Sequence, residues 1–297
     1  MKHQKLNEKL IVYNNRKPYG QVVFVTGGSG GGKGFAIQNF IDSASYKVMD
    51  VDELKKKVLW YARIEKIDLD KLYRNKGYIL SEKGDVAWRK LRERYPDVDI
   101  ANMDLRIAHH VEMLHYICEM LEWNSKILAG LINDKKILPN IIFDVTGANR
   151  SRLVELVQDL KKIGYKSNNM HLTWILTNYK IAYINNKTRD RIVPADILLA
   201  THLGAAETMY DLVFDQSNIG IGGRIDVILN NPNNTIFYVD KNTKQKLGVV
   251  KDFVYLPLKK EGGAFLPEKL WKEKLFREIF NNTPIMKNLI ELLKEFE

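Results

Sequence analysis

The order of apolar and polar positions predicts a chain in which buried strands alternate with amphipathic helices. Short apolar runs bounded by glycine, proline or acidic residues are typical of strands covered on both faces of a parallel sheet. Longer stretches between them carry apolar residues three and four positions apart, which indicates helices. This alternation predicts an α/β fold. The predicted strands are Val22–Val25, Tyr46–Asp52, Ile141–Thr146, His171–Leu176 and Ile225–Leu229.

Helices are predicted in the intervals, and the longest interval follows the second strand. From about residue 53 to 138 the pattern is mainly helical, which predicts a large helical insertion. Gly164 follows one predicted helix and suits a C-terminal cap. The predicted helices are Phe35–Ile41, Glu53–Lys66, Glu82–Arg94, Asp104–Asn133, Arg150–Ile163, Tyr179–Thr188 and Pro194–Phe214.

The two ends of the chain differ from this pattern. Residues 1–20 form a polar lead-in. After residue 230, the segments Thr235–Asp240 and Lys246–Val250 predict a hairpin that turns at residues 241–243. A final helix is predicted with one apolar stripe, which packs on its own domain or on a partner. The stripe consists of Ile285, Leu289, Leu292, Leu293 and Phe296.

Composition narrows the class of protein. The 297 residues are 45% hydrophobic and 28% charged, which is typical of a globular protein. A single cysteine, Cys118, excludes an internal disulfide and favours a reducing compartment. No apolar run reaches the roughly 18 residues that span a bilayer. The first residues, Met1–Glu8, lack the apolar core of a signal peptide. We therefore expect a cytoplasmic protein with no membrane contact.

The charge balance adds a bias towards anionic partners. Lysine and arginine number 46 against 36 acidic residues, which gives a net charge of +10. Such an excess favours nucleotides, nucleic acid or an acidic surface. The lysines are spread through the whole sequence, so a solvated basic surface explains the excess equally well.

A glycine-rich loop between the first strand and the first helix is the main candidate site. Its eight residues match the P-loop pattern, Gly, four residues, Gly-Lys, up to the last position, where Gly34 replaces serine or threonine. Glycine lets successive N–H groups turn inward on a phosphate. A flexible linker is disfavoured, because a strand precedes the loop and a helix follows it. The predicted phosphate-binding residues are Gly27, Gly28, Ser29, Gly30, Gly31, Gly32, Lys33 and Gly34.

Acidic residues end two of the predicted strands, where ligands bind in open α/β sheets. If Asp50 and Asp52 both lie on the second strand, their carboxylates share a face. One of them can then accept a proton from a substrate hydroxyl. Alternatively, Asp52 caps the helix that follows. Asp144, assisted by Thr146, and Asp50 are the predicted magnesium ligands, since magnesium prefers oxygen ligands and retains water. Without a hydroxyl at Gly34, Asp144 carries more of this role.

Two arginines follow the fourth strand and its helix. Arg189 and Arg191 are predicted to close over ATP and neutralise charge on the transferred group, because guanidinium groups offer rigid bidentate donors. A solvated loop is the alternative. The histidines at 109, 110 and 115 do not have zinc-ligand spacing and are predicted at the surface or at an interface. The glycine-rich stretch 220–223 precedes a strand, so we interpret it as a turn.

Taken in order, these motifs resemble the zeta-toxin-like branch of P-loop kinases, especially kinase-like proteins of tailed bacteriophages. The resemblance covers residues 20–216 and is carried by GGSGGGKGF, KVMDVDE, LPNIIFDVTG, TRDRIVP and THLGAAETM. It implies that Lys33 binds ATP phosphates, that Asp52 acts as the base, and that Arg189 and Arg191 assist transfer. For a phage-encoded protein, the compartment would be the cytoplasm of the bacterial host.

We accordingly predict a three-layer α/β P-loop NTPase fold of the kinase type. Residues 1–230 would form the kinase-like domain, and residues 231–297 a small α+β extension. The predicted activity transfers the γ-phosphoryl group of ATP, with magnesium, to a hydroxyl of a nucleotide sugar, a small metabolite or modified DNA. The alternative is a non-catalytic protein that binds ATP as a scaffold or interaction module, for which the glycine at position 34 is the reason.

Overall fold

The computed structural model describes residues 10–13, 18–65, 82–97, 99–121, 137–189, 191–214, 219–240, 243–260 and 262–284. The chain divides into two compact units. The first, here called the sheet unit, comprises residues 1–49, 134–186 and 195–297. The second, the helical unit, comprises residues 50–133 and 187–194.

The sheet unit is built on strands that alternate with helices. Its strands are β1 (Val22–Thr26), β2 (Tyr46–Asp50, with Asp50 assigned to the helical unit), β3 (Asn140–Asp144), β4 (Met170–Leu176), β5 (Ile225–Leu229), β6 (Thr235–Val239) and β7 (Lys246–Lys259). Its helices are α1 (Lys33–Asn39), α5 (Arg150–Ile163), α6 (Tyr179–Lys187, with Lys187 assigned to the helical unit), α7 (Ala195–Val213) and α8 (Lys272–Asn282). In the helical unit lie α2 (Val51–Glu65), α3 (Glu82–Arg94) and α4 (Ala108–Met120).

The strands form one seven-stranded sheet in the order β2-β3-β1-β4-β5-β7-β6. The pairs β1–β3, β1–β4 and β4–β5 are parallel, and the pairs β5–β7 and β7–β6 are antiparallel. With the glycine-rich loop between β1 and α1, this is an α/β P-loop NTPase fold, as predicted. The parallel strands are buried along nearly their whole length because both faces of the sheet are covered.

Period-two alternation along β1 distributes its side chains between the two faces. Val23 and Val25 belong to a core cluster that includes Ala36 and Ile37 of α1. Phe24 lies between them in sequence, and its ring stacks on Phe143 of β3 at 5.6 Å. Since successive strand residues point to opposite faces, the sheet carries a core layer on each side.

The helical unit has a hydrophobic core of its own. Thirteen buried residues from α2, α3, α4 and the segments beside them pack together, with Leu91, Leu114 and Ile117 fully buried. The guanidinium of Arg63 ties α2 to the neighbouring loop, donating to the carbonyls of Ala101 at 2.9 Å and Met103 at 2.8 Å. The mainly helical character predicted for residues 53–138 is confirmed by α2, α3 and α4. The division into domains at residue 230 stays a prediction.

Several predicted boundaries need correction. The second strand ends at Asp50, and a helix begins at Val51. The third helix of the helical unit begins at Ala108 instead of Asp104. The second strand of the C-terminal hairpin extends to Lys259 and pairs with β5, so the hairpin continues the main sheet. The predicted final helix from Ile285 lies outside the described residues, whereas α8 was not predicted.

The lead-in to β1 is not wholly polar. Ile11 and Tyr13 are buried, and Ile11 forms a bridge with Ile41. The Tyr13 hydroxyl contacts Thr173 Oγ1 and donates to Asp226 Oδ2 at 3.2 Å. Asp226 is fully buried, and its Oδ2 forms an ion pair with Arg224 Nε at 2.6 Å. The lead-in therefore contributes a tyrosine to a polar network beside β4 and β5.

A buried histidine in this network makes stability sensitive to acid. His171 Nδ1 accepts from the Arg224 N–H at 3.0 Å, and Nε2 lies 2.9 Å from Gln21 Oε1, which requires a neutral ring with its proton on Nε2. Burial and the charge of Arg224 lower the pKa of His171 to about 3.

We expect acid destabilisation that depends on His171. Between a pH of about 6.5 and about 3, the unfolded state binds the proton and the folded state does not, so stability falls as pH decreases through this window. Urea unfolding of the wild type and of His171→Gln at several pH values measures this. The variant should be less stable at neutral pH but should lose less on acidification. Equal slopes in both proteins would contradict the assignment.

None of the helices in the described part of the chain combines the length and apolarity needed to cross a membrane.

Candidate functional site

The glycine-rich loop leaves β1 and enters α1 as the sequence predicts. The Gly27 N–H donates to the Thr146 carbonyl at 3.0 Å, which ties the start of the loop to the segment after β3. Gly27, Gly30 and Gly32 have φ values of +141°, +74° and +80°. L side chains rarely adopt these values, so the local backbone requires glycine.

The end of the loop presents free N–H groups at the start of α1. Helix α1 begins at Lys33, directly after Gly32. Within the described residues, no protein group accepts a hydrogen bond from the N–H groups of Gly32, Lys33 or Gly34. Unpaired amides at a helix start, together with the positive end of its dipole, favour an anion such as phosphate.

Lys33 and Asp144, which the sequence assigned to one site, lie together in the sheet unit. Lys33 Nζ is 3.6 Å from Asp144 Oδ1 and donates to the Gly27 carbonyl at 3.2 Å. Only 12% of the Lys33 side chain and 14% of the Asp144 side chain are exposed. β1 and β3 are parallel neighbours, so their carboxyl ends place these residues at the same edge of the sheet.

Side chains that the sequence did not single out hold the loop from outside. Thr177 Oγ1 and Asn230 Nδ2 both donate to the Gly31 carbonyl, at 2.6 and 2.9 Å. Thr201 Oγ1 accepts from the Ser29 N–H at 2.9 Å, and His202 Nε2 lies 3.0 Å from the Ser29 carbonyl. These contacts tie Ser29 and Gly31 to residues outside the loop, which lowers the free-energy cost of ordering the loop around a ligand.

His202 is neutral in this arrangement. It is 3% exposed, and burial together with the nearby charge of Lys33 lowers its pKa. Because a carbonyl oxygen only accepts, Nε2 must carry the proton that the Ser29 carbonyl receives. No sequence signal marks this contact, because it joins residues 173 positions apart, and the segment THLGAAETM around His202 stands out only through the family resemblance.

We predict opposite effects on stability for alanine substitutions at two glycines of the loop. A Cβ at Gly28 would overlap the imidazole ring of His202, whereas a Cβ at Gly34 would have no atom within 4 Å. We expect Gly28→Ala to destabilise the protein by about 1–3 kcal/mol through overpacking. Gly34→Ala should be neutral or slightly stabilising, because alanine favours a helix. Thermal melts of both variants and of Gly28→Ala/His202→Ala test this; a double variant no more stable than Gly28→Ala would contradict the clash.

The predicted acids after β2 occupy different elements. Asp50 ends the strand, while Asp52 is the second residue of α2. The prediction that both carboxylates lie on one face of a strand is therefore wrong. Asp50 Oδ1 accepts from the Asp52 N–H at 2.8 Å. The cap of this helix is therefore Asp50, and the alternative in which Asp52 caps a helix from Glu53 is also wrong. The strand prediction failed because Val51 is β-branched and prolongs the apolar pattern.

Asp52 is engaged by two cations of the helical unit. Its carboxylate contacts Arg191 Nη1 and lies 3.7 Å from Lys55 Nζ. The Asp52 side chain is 31% exposed, compared with 14% for Arg191. Burial lowers the pKa of Arg191, and the charge of Asp50 opposes this shift. Arg191 Nε is buried without a hydrogen-bond acceptor among the described residues, so this guanidinium retains an unused donor.

Lys55, which lies near Asp52, is buried, and so is Cys118 beside it. Burial lowers the pKa of Lys55, while Asp50 and Glu119 act against the shift. Burial raises the pKa of the Cys118 thiol to about 11, so this cysteine stays protonated at neutral pH. Arg189, the other predicted arginine, lies exposed in the same unit, and no contact of it with Asp52 is found among the described residues.

The sequence predicts Asp144 and Asp50 as magnesium ligands. Across the described residues, no group of three or more His, Cys, Asp or Glu side chains is arranged to hold a metal ion by itself. Asp144 with phosphate oxygens and water fits magnesium, which is commonly bound through one or two carboxylates. Asp50 already accepts a hydrogen bond through Oδ1, and its role as a ligand stays a prediction.

No family model matches the sequence, and no curated protein matches it significantly. A chain in the crystal structure of AvrRxo1-ORF1:AvrRxo1-ORF2 with sulphate ions is similar at 11% identity and a TM-score of 0.45, with 89% of this chain covered. The present chain spans 64% of that chain's length.

Two further solved structures are similar at 15% identity. A chain of the PezAT chromosomal toxin-antitoxin system of Streptococcus pneumoniae has a TM-score of 0.40, with 99% of this chain and 90% of that one covered. Deoxyadenosine kinase from M. mycoides with bound dATP has a TM-score of 0.32, with 69% and 89% covered. At these identities the likeness concerns the fold and assigns no role to a residue of this chain.

Proposed function

We propose that this protein transfers the γ-phosphoryl group of ATP to a hydroxyl group. The observation that carries the proposal is the position of Lys33 in the P-loop. Its ammonium lies 3.6 Å from Asp144 Oδ1, and three N–H groups at the end of the same loop have no protein acceptor among the described residues. Lysine and amides arranged in this way suit the β- and γ-phosphates of a nucleotide.

In the proposed reaction, the protein supplies position and charge more than covalent chemistry. The acceptor oxygen attacks the γ-phosphorus in line, the bond from that phosphorus to the β–γ bridging oxygen breaks, and ADP leaves. Lys33 and the loop amides stabilise the charge that shifts towards the leaving group. Magnesium, when bound, would neutralise phosphate charge, and Asp144 is the residue proposed to hold it.

Asp52 is proposed to accept the proton that the acceptor hydroxyl loses. A carboxylate held by Arg191 and approached by Lys55 is fixed in orientation, as a base must be. Arg191 retains an unused buried Nε donor, and we propose that it binds a phosphate oxygen of the reactants. Arg189 is proposed as a second, exposed cation for the same purpose.

The first experiment is a transfer assay with labelled ATP and a panel of acceptors. The panel contains nucleotide sugars, small hydroxylated metabolites and DNA with modified bases, since a net charge of +10 favours polyanions. We expect label to move to one class of acceptor, with ADP formed in equal amount. DNA binding that weakens between low and moderate salt would support a nucleic-acid acceptor. ATP binding without transfer to any class would contradict the proposal.

Gly34 favours a second candidate function, a nucleotide-binding protein without transfer activity. The P-loop pattern places at this position a hydroxyl that binds magnesium, and glycine lacks it. Under this hypothesis ATP orders the protein for a partner. Slow or absent ATP turnover, together with tight ATP binding, distinguishes it from the kinase.

Restoring the hydroxyl is expected to strengthen magnesium-dependent nucleotide binding. No atom lies within 4 Å of a Cβ at Gly34, so serine fits without displacing a neighbour. In Gly34→Ser, the affinity for ATP should rise several-fold with magnesium and stay unchanged with EDTA, because only the metal uses the new oxygen. Calorimetric titration measures both. Gly34→Ala is the matched control, and an equal gain in that variant would refute the role of the hydroxyl.

A further inference from the structure

The sheet unit contains a cavity whose lining residues lie outside the P-loop. It has a volume of about 430 Å³ and is lined by the Gly220–Gly222 turn, the segment before β4, and parts of α5, α7 and β7. Cavities of this size accommodate small organic molecules. From the sequence, the glycine-rich stretch 220–223 is predicted only to be a turn before β5.

The cavity and the P-loop occupy opposite edges of the parallel sheet. Ser167 and Asn168 precede β4, and the glycine turn precedes β5, so the cavity lies at the amino ends of these strands. The P-loop follows the carboxyl end of β1, which is parallel to β4. A five-residue strand spans about 16 Å. A ligand in the cavity is therefore separate from a nucleotide on the P-loop.

Lys259 places a half-buried ammonium in this cavity. Its Nζ donates to the Ile221 carbonyl at 3.1 Å and lies 6.0 Å from the centre of the Phe265 ring. Burial lowers its pKa. An ammonium has three donors, and removing it from water costs free energy unless an opposite charge or hydrogen bonds compensate.

Lys161 brings a second ammonium from α5 to the same cavity. Gly220 has a φ of +88°, and a Cβ there would overlap Lys161 Nζ. The left-handed backbone at Gly220 favours glycine, and the end of the Lys161 side chain lies next to it. In the part of the chain that the structure describes, neither lysine has a carboxylate partner, and no acidic residue lines the cavity.

The remaining walls combine apolar surface with a polar rim. Ile219 and Phe265 contribute apolar side chains, while Ser167 and Asn168 contribute a hydroxyl and an amide. The Gly222 N–H donates to the Ser167 carbonyl at 2.8 Å, which fixes the turn against this rim. A concave site that offers both apolar surface and convergent polar groups suits a small molecule that carries both a charge and an apolar body.

We propose that this cavity binds a small organic anion, whose carboxylate or phosphate lies between Lys161 and Lys259 and whose apolar body contacts Ile219 and Phe265. The two ammonium groups provide the charge, and Ser167 and Asn168 provide further hydrogen bonds. The site is separate from the proposed kinase chemistry and does not depend on it.

Calorimetric titration of the full chain with phenyl phosphate and with benzoate tests the site. Both probes carry an anion on an apolar ring, and their comparison distinguishes phosphate from carboxylate recognition. Binding of either probe, with phenol and inorganic phosphate at least tenfold weaker, is the expected result. Failure of both probes to bind at millimolar concentration would overturn the proposal, as would equal binding of phenol.

Variants locate the bound probe. Lys161→Gln/Lys259→Gln should weaken binding roughly tenfold or more, since two charge-assisted contacts are lost. Lys162→Gln/Lys260→Gln is the matched control, because it removes two exposed neighbouring charges, and its affinity should stay within twofold. Lys33→Ala separates this site from the P-loop. A probe lost in Lys33→Ala but retained in the cavity variant would place it on the P-loop and overturn the proposal.

Discussion

Replacing Lys33 with alanine is expected to lower kcat/KM for phosphoryl transfer by about 10²–10³-fold, the cost of losing a donor aimed at developing charge. The Lys33 side chain is mostly buried, and the Gly27 carbonyl and Asp144 hold its ammonium group in place. The Lys33 charge stabilises the transition state, in which negative charge develops, more than it stabilises the bound substrate. We therefore expect kcat to fall more than KM rises. Steady-state kinetics with the acceptor found in the panel measures both parameters.

Lys180→Ala is the control for this prediction. Lys180 is an exposed lysine on α6, so its loss removes the same charge from the protein without touching the loop. Its kinetics should match the wild type. Thermal melts establish that Lys33→Ala remains folded. If the folded Lys33→Ala protein transfers phosphate at the wild-type rate, then the P-loop is not the site of transfer.

Asp52→Asn is expected to reduce kcat by about 10²–10⁴-fold while ATP affinity changes little, because a general base contributes this much and does not bind the nucleotide. Asparagine retains the size of the side chain but cannot take up the proton. Some loss of stability is also expected, since Arg191 loses its anionic partner in a largely buried position. Activity alone would therefore not separate a catalytic role from a structural one.

The pH–rate profile makes this separation. A base gives an acid limb in kcat, and this limb should disappear in Asp52→Asn. Glu53→Gln is the matched control, because Glu53 is the next acid in the first turn of α2 and is exposed beside Lys56. It should retain the wild-type rate and profile. An Asp52→Asn protein that is slow but retains the acid limb would assign Asp52 a structural role.

Much of the fold could be predicted because its signals are local. The strand at 225–229 and the helix at 150–163 have the bounds that apolar period and capping residues indicate, including the left-handed Gly164. The closeness of Lys33 and Asp144 was also predictable, because parallel strands end at one edge of a sheet. Asp52 shows the limit of this reasoning, because the β-branched Val51 extended the predicted strand two residues too far.

The contacts that hold the loop could not be predicted, because they join distant parts of the chain. His202 and Thr201 reach Ser29 across more than 170 residues, and Asn230 reaches Gly31 across 199. A lone histidine or asparagine has no periodic pattern that would mark such a contact. For the same reason, the sequence does not indicate that Lys161 of α5 and Lys259 of β7 line one cavity.

The sequence by itself determined that this is an α/β protein with a P-loop and that position 34 lacks a hydroxyl, because strand runs, glycines and helix period are encoded in neighbouring residues. Only the tertiary structure decided that Asp50 caps the helix carrying Asp52, that Arg191 pairs with Asp52, and that four side chains fix the loop from outside. Those outcomes depend on which distant groups meet when the core closes, and burial then sets the protonation of His202 and the cost of each unpaired charge.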